Sequence, residues 1–346
     1  MQRDLVERRG WLEREEFLNG VALGQTMPGP LAAQVAMWVG YLRRGMWGAL
    51  AVALAFIAPS FIVVLTIAFF YVRFNGLDWV QALFYGIAPG VMAIIAIAAV
   101  KLARLTNSHD VRLWVISFVI MLITAITGTE VAILFIAAGL LMIAWDAPPR
   151  SLRRSRASVA LPPLARSLVV ASASTGTLVA LGLFFLKAGA FIFGSGLAIV
   201  PFLREGVVTQ HHWLNDRQFL DAVAMGLITP GPVVITATFI GYLAGGFAGA
   251  VVATVAIFTP IYLGVIVPAG WFLRHRANPQ LRAFVKGATA AAAGAIAGAT
   301  IVLTRGAIVD LPTAAIALVA LGLLWRFKVP EPVIVLLAAV AGLLLY

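Results

Sequence analysis

Long apolar runs separated by short polar segments make up most of the chain. The runs cover residues 17–41, 46–72, 80–102, 112–127, 130–145, 167–186, 188–203, 217–242, 246–272, 284–304, 307–325 and 329–345. A helix needs about 20 mainly apolar residues to cross the hydrocarbon of a bilayer. The runs are continuous rather than alternating, which favours helices over the strands of a membrane barrel. The pattern therefore predicts an all-α polytopic membrane protein with about 12 spans.

One motif, with Pro-Gly-Pro at its centre, occurs twice. Its shared positions are Trp11, Phe17, Gly24 and Pro28-Gly29-Pro30, and, 202 residues later, Trp213, Phe219, Gly226 and Pro230-Gly231-Pro232. The match continues at an offset of 201, from Gly40 to Gly241 and from Pro59 to Pro260. A register held this long predicts an internal duplication. In a membrane protein, matching helices interrupted by Pro and Gly indicate a transport site.

Composition and charge indicate what kind of partner this membrane protein has. The chain is 62% hydrophobic and 11% charged, has a net charge of +11 and contains no Cys. Arg and Lys lie in short loops between the apolar runs, as the positive-inside rule expects, so the basic charge does not indicate a nucleic-acid partner. The expected partner is instead the lipid bilayer.

Four segments are predicted from these features. The first repeat covers 1–145, a basic cytoplasmic linker 146–166, an extra helix that reverses orientation 167–187, and the second repeat 188–346.

Matching loops of the two repeats carry opposite charge bias. Arg43-Arg44 corresponds to the uncharged Gly245-Gly246. An inverted repeat accounts for this difference, and two parallel halves with scattered charge are the alternative.

The two repeats also begin differently. The apolar run 188–203 leads into Arg204-Glu205, whereas only Met1-Gln2 precede the matching Arg3-Asp4. The sequence therefore predicts that the first repeat lacks its leading helix. We favour a true start farther upstream over a natural truncation.

These residues resemble the chromate ion transporter family in its long, two-domain type. The stretch 3–12, followed by 16–18 and 27–30, is similar to the family's first-half signature, and 193–196 with 199–205 is similar to its second-half signature. The resemblance implies two homologous halves, export of chromate, with sulfate as the related anion, and a multi-pass position in the bacterial cytoplasmic (inner) membrane. The first half lacks a counterpart of Gly194-Ser195-Gly196.

The breaks are the expected substrate site, because a buried dianion needs donors in place of water. A helix start offers free N–H groups and the positive end of a dipole, and Pro with Gly forces such a start. The candidate substrate-binding residues are Gln25, Thr26, Pro28, Gly29, Pro30, Gln34, Gly194, Ser195, Gly196, Thr229, Pro230, Gly231, Pro232 and Thr236. The alternatives are simple kinks at the Pro-Gly-Pro motifs and a packing contact at the Gly-rich motif.

Charged residues beside the runs are further candidates. They are Arg3, Glu7, Arg204 and Glu205. Arg could pair with an oxyanion and Glu could carry a coupling proton, with interfacial anchoring as the alternative. Asp221, just inside its run, is interpreted as either a helix cap or a proton site. Lys101 and Arg104 are expected to reach the membrane surface.

The leading hypothesis is a secondary active transporter that exports chromate by alternating access. The alternatives are a transporter of sulfate or another oxyanion, or an inactive truncated membrane subunit. The sequence has no nucleotide-binding motif and no convergent intramembrane His, Asp or Glu cluster. We therefore expect no cofactor, no metal and no enzymatic activity. A homodimer is left open.

Overall fold

The fold is described from a computed structural model. It describes residues 13–148 and 173–346 except 28, 75–76, 128–131, 193–195, 230, 270–277 and 328. Most of the predicted linker 146–166 lies outside these residues, as do Arg3, Glu7, Pro28, Gly194, Ser195 and Pro230.

The described secondary structure is helical. The helices are α1 (Arg14–Thr26), α2 (Leu31–Phe74), α3 (Asp78–Asn107), α4 (Val111–Thr127), α5 (Ala132–Asp146), α6 (Ala173–Ala190), α7 (Val200–Arg204), α8 (Asp216–Ile228), α9 (Thr236–Ile266), α10 (Pro279–Ala307), α11 (Leu311–Gly322) and α12 (Glu331–Leu345). Tighter or wider helical turns cover Gly196–Ile199, Glu205–Gln210, Val233–Ile235 and Leu323–Phe327.

Four helical stretches are long and apolar enough to cross a membrane. They are Leu31–Phe74, Asp78–Asn107, Val233–Ile266 and Pro279–Ala307, and shorter apolar helices pack around them. Large apolar side chains such as Phe69, Ile126 and Leu318 are exposed on the outer surface, which suits a lipid environment rather than water. The prediction of an all-α polytopic membrane protein is confirmed at this level.

The apolar runs 17–41 and 217–242 do not form single spans. Each is divided into a 13-residue helix, α1 or α8, and the first arm of the next helix. Gly24 packs against Leu31 and Gln34, and Gly20 packs against Trp38. Contacts in this order mean that the chain turns back on itself at the break and forms an antiparallel helical hairpin. A helix of 13 residues is about 20 Å long, shorter than the hydrocarbon core of a bilayer.

Helices α2 and α9 each contain a second sharp turn. It falls at Arg44-Gly45 in α2 and at Gly245-Gly246 in α9, with φ of 57° at Gly45 and 62° at Gly246. Past the turn, the two arms approach closely, because a Cβ on Gly40 would collide with the carbonyl of Gly48. Each long arm, 46–74 or 247–266, is thereby packed against the arm that precedes it.

The long helices that follow these turns, α3 and α10, each pack on helices from the other half of the chain. Helix α3 packs on α11 and α12, whereas α10 packs on α4 and α5. The closest approaches are reciprocal: Gly86 of α3 lies against the backbone of Ala338 and Gly342, and Gly287 of α10 lies against Ala138 and Met142. A side chain at either glycine would push the neighbouring helix away, so the halves are interlocked by small residues.

The apolar run 188–203 differs from the predicted continuous span. Helix α6 ends at Ala190, and the helical turn Gly196–Ile199 leads into the five-residue α7. Pro201, buried at the start of α7, is tolerated because the first helical turn needs no N–H from that position. The described part of this run is thus a set of short turns placed beside the second break.

Candidate functional site

The first break is built around Gly29. Helix α1 ends at Thr26, the backbone of the next residue, Met27, is extended (φ −98°, ψ 150°), and α2 begins at Leu31. Gly29 has φ of +144°, a region that only glycine adopts without strain. The fully buried Gln34 spans the break by donating from Nε2 to the carbonyl of Met27 at 3.3 Å.

The second break has the same backbone course. Helix α8 ends at Ile228, the next residue, Thr229, is also extended (φ −74°, ψ 133°), and Gly231 has φ of +152°. The hydroxyl of Thr229 donates to the carbonyl of Met225, and that of Thr236 donates to the carbonyl of Val233 at 2.8 Å. Since each hydroxyl has one proton, these two are already used inside the protein. Neither of these two hydroxyls therefore offers its proton to an anion in this conformation.

Each break lies against the long helix that follows the other break. A Cβ on Gly29 would stand 2.9 Å from Ile261 of α9, and one on Gly231 would collide with the Ser60 side chain of α2. Ser60 and Ile261 directly follow Pro59 and Pro260, which match at the 201-residue offset. The absence of a side chain at each glycine is what permits this crossed contact.

Two described residues at the Gly-rich motif of the second half, Ile192 and Gly196, border the two breaks. The N–H of Gly29 donates to the carbonyl of Ile192 at 2.7 Å. A Cβ on Gly196 would lie 3.6 Å from that of Val233, next to the second break. The structure thus brings Gly29, Gln34, Gly196, Gly231 and Thr236 into one region. Gln25 and Thr26 end α1 beside it.

Of the charged candidates, Arg204 and Glu205 lie within the part of the chain that the structure describes, and each has a partner inside the protein. Arg204 contacts the Asp216 carboxylate through Nε and Nη2, both at 2.8 Å. Glu205 is buried, and its Oε1 accepts from Gln210 at 3.2 Å. Arg204 therefore does not face the breaks as an open cation in this conformation.

Asp221 is not a helix cap. The N-cap of α8 is Asn215, whose side chain accepts from the N–H of Gln218 at 2.8 Å. Asp221 lies farther along α8, is 2% exposed, and its Oδ2 accepts from the hydroxyl of Tyr71 at 2.7 Å. Sequence reasoning found the carboxyl because it interrupts an apolar run, but no sequence signal pointed to Tyr71, 150 residues away.

Other polar groups lie away from the breaks. A cavity of about 530 Å³ lies between α3 and the start of α12, where its lining includes Lys101, Arg104 and Glu331. Arg104 stands over the Trp325 ring at 5.3 Å. His211 stacks on Trp213 at 4.2 Å, and partial burial lowers the pKa of its imidazole. Among the described residues there is no group of three or more His, Cys, Asp or Glu that could hold a metal.

The helical bundle, with its long apolar helices, is that of a polytopic helical membrane protein. The family model for chromate transporters matches residues 1–143 and 179–343. The chain therefore belongs to the chromate transporter family.

Curated relatives agree with this assignment. The chain is similar to a chromate transport protein of Cupriavidus metallidurans, with 51% identity over all of this chain and 87% of that protein. It is 46% identical to a probable chromate transport protein of Synechococcus elongatus, over all of this chain and 89% of that one. A chromate transport protein of Pseudomonas aeruginosa is 30% identical over all of this chain and 86% of its own length. No solved structure matches the chain.

Proposed function

We propose that this chain transports chromate outward across the cytoplasmic membrane of a bacterium by alternating access. The observation that carries the proposal is that two breaks with the same backbone course lie in one region of the bundle, with Ile192 and Gly196 beside them. The family match and the names of the relatives support chromate as the substrate.

The backbone of the two breaks supplies the donors for the anion. The first residues of a helix have N–H groups without intrahelical acceptors, and their dipole end is positive. Leu31 begins α2 and Val233 begins the turn leading to α9, so both starts border the same region. A tetrahedral dianion held by such groups is recognised by its charge and size. For that reason sulfate is the second candidate substrate.

The two halves act as an inverted repeat. Three observations support the repeat itself: the matching φ angles at the breaks and turns, the reciprocal packing of Gly86 and Gly287, and the two separate regions matched by the family model. The opposite charge bias of matching loops favours inversion over a parallel arrangement. Rocking of one repeat against the other would open the breaks to each side of the membrane in turn.

The driving force is an ion gradient or the membrane potential. When a dianion leaves a cytoplasm that is electrically negative, its free energy falls by about 2.3 kcal/mol per charge for every 100 mV of membrane potential. Secondary active transport needs no nucleotide site, in agreement with the sequence, and the linker 146–166 stays on the cytoplasmic side in this proposal.

The test is chromate movement in membrane vesicles that contain the full chain. We expect accumulation in inverted vesicles, where outward transport fills the lumen, and competition by excess sulfate. The double variant Gly29→Ala/Gly231→Ala should abolish it, whereas Gly306→Ala, at a helical glycine with open space around it, should not. Equal chromate movement by empty vesicles would overturn the proposal, and movement of sulfate alone would replace the substrate.

A further inference from the structure

A buried carboxyl in the second half has a partner on only one of its two oxygens. Asp221 is 2% exposed, and Oδ2 accepts from Tyr71 at 2.7 Å. Oδ1 is also buried and has no hydrogen-bond partner among the described residues. A charged carboxylate in this position would leave one anionic oxygen uncompensated, which is costly in an apolar interior.

The surroundings of this pair favour a proton rather than a metal cation. Tyr71, itself buried, lies edge-on to Phe84 of α3 and Phe239 of α9, with ring centroids 5.1 Å away in both cases. A cation such as Na⁺ would need several oxygen ligands, whereas one proton on Oδ1 neutralises the carboxyl and needs none. The neutral acid can still accept the Tyr71 hydrogen bond on Oδ2.

Other ionisable groups lie on the elements packed around α8. Tyr71 of α2 donates a hydrogen bond to the Asp221 carboxyl, and the charge of Arg217, on α8 itself, favours the ionised carboxylate. Arg217 donates to the carbonyl of Gln81 and is exposed. The neighbouring α7 and the helical turn after it carry Arg204, paired with Asp216, and the buried Glu205, whose Oε1 accepts from Gln210 while Oε2 has no partner among the described residues. No described cation lies within salt-bridge distance of Asp221.

The position of Asp221 connects it to the second break. It lies on α8, eight residues before Thr229, which corresponds to about 12 Å along a helix. Its partner Tyr71 lies on the long arm of α2, whose Ser60 contacts Gly231. A negative carboxylate at this distance repels a dianion at the break, and a proton on Oδ1 removes the repulsion.

We infer that Asp221 is a proton-binding site linked to the anion, so that Oδ1 gains a proton when the anion binds and loses it when the anion leaves. The inference rests on the proposed anion site at the breaks. One O–H bond forms and breaks, and no other group is changed. Chromate accompanied by one proton has a net charge of −1, so an inside-negative potential still drives it outward.

The test uses the purified full chain and chromate as the probe. Titration calorimetry in buffers of different ionisation enthalpy should show uptake of about one proton for each anion bound, and affinity should fall by up to tenfold per pH unit as pH rises. Asp221→Asn should show no such proton uptake and a weaker pH dependence. Chromate itself gains a proton in mildly acidic solution, and this variant provides the reference for that contribution.

Two further variants distinguish a loss of proton binding at Asp221 from damage to the fold. Asp78→Asn, the same substitution at an exposed residue in the first turn of α3, should keep the proton uptake. Tyr71→Phe should also keep it, because the carboxyl remains, whereas a purely structural role for the pair predicts the same defect in Tyr71→Phe and Asp221→Asn. Equal proton uptake by wild type and Asp221→Asn would overturn the inference.

Infrared spectroscopy gives a readout that does not depend on chromate. The spectrum of the wild type minus that of Asp221→Asn should contain the carbonyl stretch of a protonated carboxylic acid, which disappears as pH rises. A pH-dependent band together with no chromate binding would refute the proposed substrate and leave the proton site standing. Absence of the band at every pH would overturn the inference, whether or not chromate binds.

Discussion

The two breaks share a backbone but differ in their side chains. Gly29 and Gly231 have φ of 144° and 152°, and the turns that follow have φ of 57° and 62°. The side chains at matching positions of the two repeats differ: Gln34 corresponds to Thr236, and Asn19 corresponds to Asp221. We interpret the common backbone as the part that binds the anion and the differing side chains as the part that makes the two halves unequal.

The largest effect is expected from a side chain at either break. Gly29→Ala and Gly231→Ala each force a residue with a Cβ into a glycine-only region, which costs about 1–3 kcal/mol. Gly231→Ala also drives the new Cβ into Ser60, so it should be the more damaging of the two. We expect each variant to lose roughly tenfold or more of its chromate transport rate.

Transport by these variants is measured in vesicles with expression matched by immunoblot. Gly306→Ala, a helical glycine with open space around it, is the matched control. Wild-type rates in Gly231→Ala would mean that the break is no more than a tolerated kink. A defect in one break only would mean that the two breaks are not equivalent.

The second turns should respond alike in both halves. Nothing lies within 4 Å of a Cβ on Gly45 or Gly246, so alanine there is opposed by backbone strain alone, about 1–3 kcal/mol. Thermal unfolding in detergent should show a similar loss for Gly45→Ala and Gly246→Ala. Clearly unequal losses would argue that the two turns have different backbone conformations.

A buried threonine pair should distinguish the second half from the first. The hydroxyl of Thr254 donates to the carbonyl of Ala250 and accepts from Thr238, both at 2.7 Å, whereas Ala53 stands at the position matching Thr254. Thr254→Ala leaves the buried Thr238 hydroxyl without this acceptor and should lower the free energy of unfolding by about 1 kcal/mol.

The control for this pair removes both partners. The double variant Thr238→Val/Thr254→Ala leaves no unpaired hydroxyl and should recover part of the lost stability. Additive losses in the double-mutant cycle would show that the two side chains do not interact.

The sequence predicted the features that depend on neighbouring residues, such as helix positions and helix breaks. It did not predict the features that depend on contacts between distant residues. Apolar runs located α3, α4, α5 and α10 to within a few residues, because a helix in lipid needs a continuous apolar surface. The Pro-Gly-Pro spacing located both breaks. It did not reveal that the chain turns back there, because the direction of a hairpin is decided by packing such as that of Gly20 on Trp38.

The candidate site shows the same division. Gly29 and Gly231 were predicted as site residues because Pro and Gly together indicate an unusual backbone. Asp221 was predicted because it interrupts an apolar run. The hydrogen bond from Tyr71 to Asp221 and that from Gly29 to Ile192 join residues 150 and more positions apart. A single sequence carries no signal for such pairs, since each member is ordinary in its own surroundings.

The smallest effect is expected outside the apolar helices, at the aspartates that precede α4 and α11. Side-chain hydrogen bonds from Arg112, at 2.9 and 3.1 Å, lower the pKa of Asp110, and the hydrogen bond from Tyr85, with those from Thr313, lowers the pKa of Asp310. A carboxyl whose pKa is depressed by folding contributes stability above its unfolded pKa and loses it as pH falls through the folded value.

Stability measured by thermal unfolding should therefore decline on the acid side of about pH 4. Asp110→Asn should flatten that decline by no more than about 1 kcal/mol, because the pair is largely exposed. If Asp110→Asn and Asp310→Asn both leave the acid side of the curve unchanged, these two loops contribute nothing to the acid sensitivity of the fold.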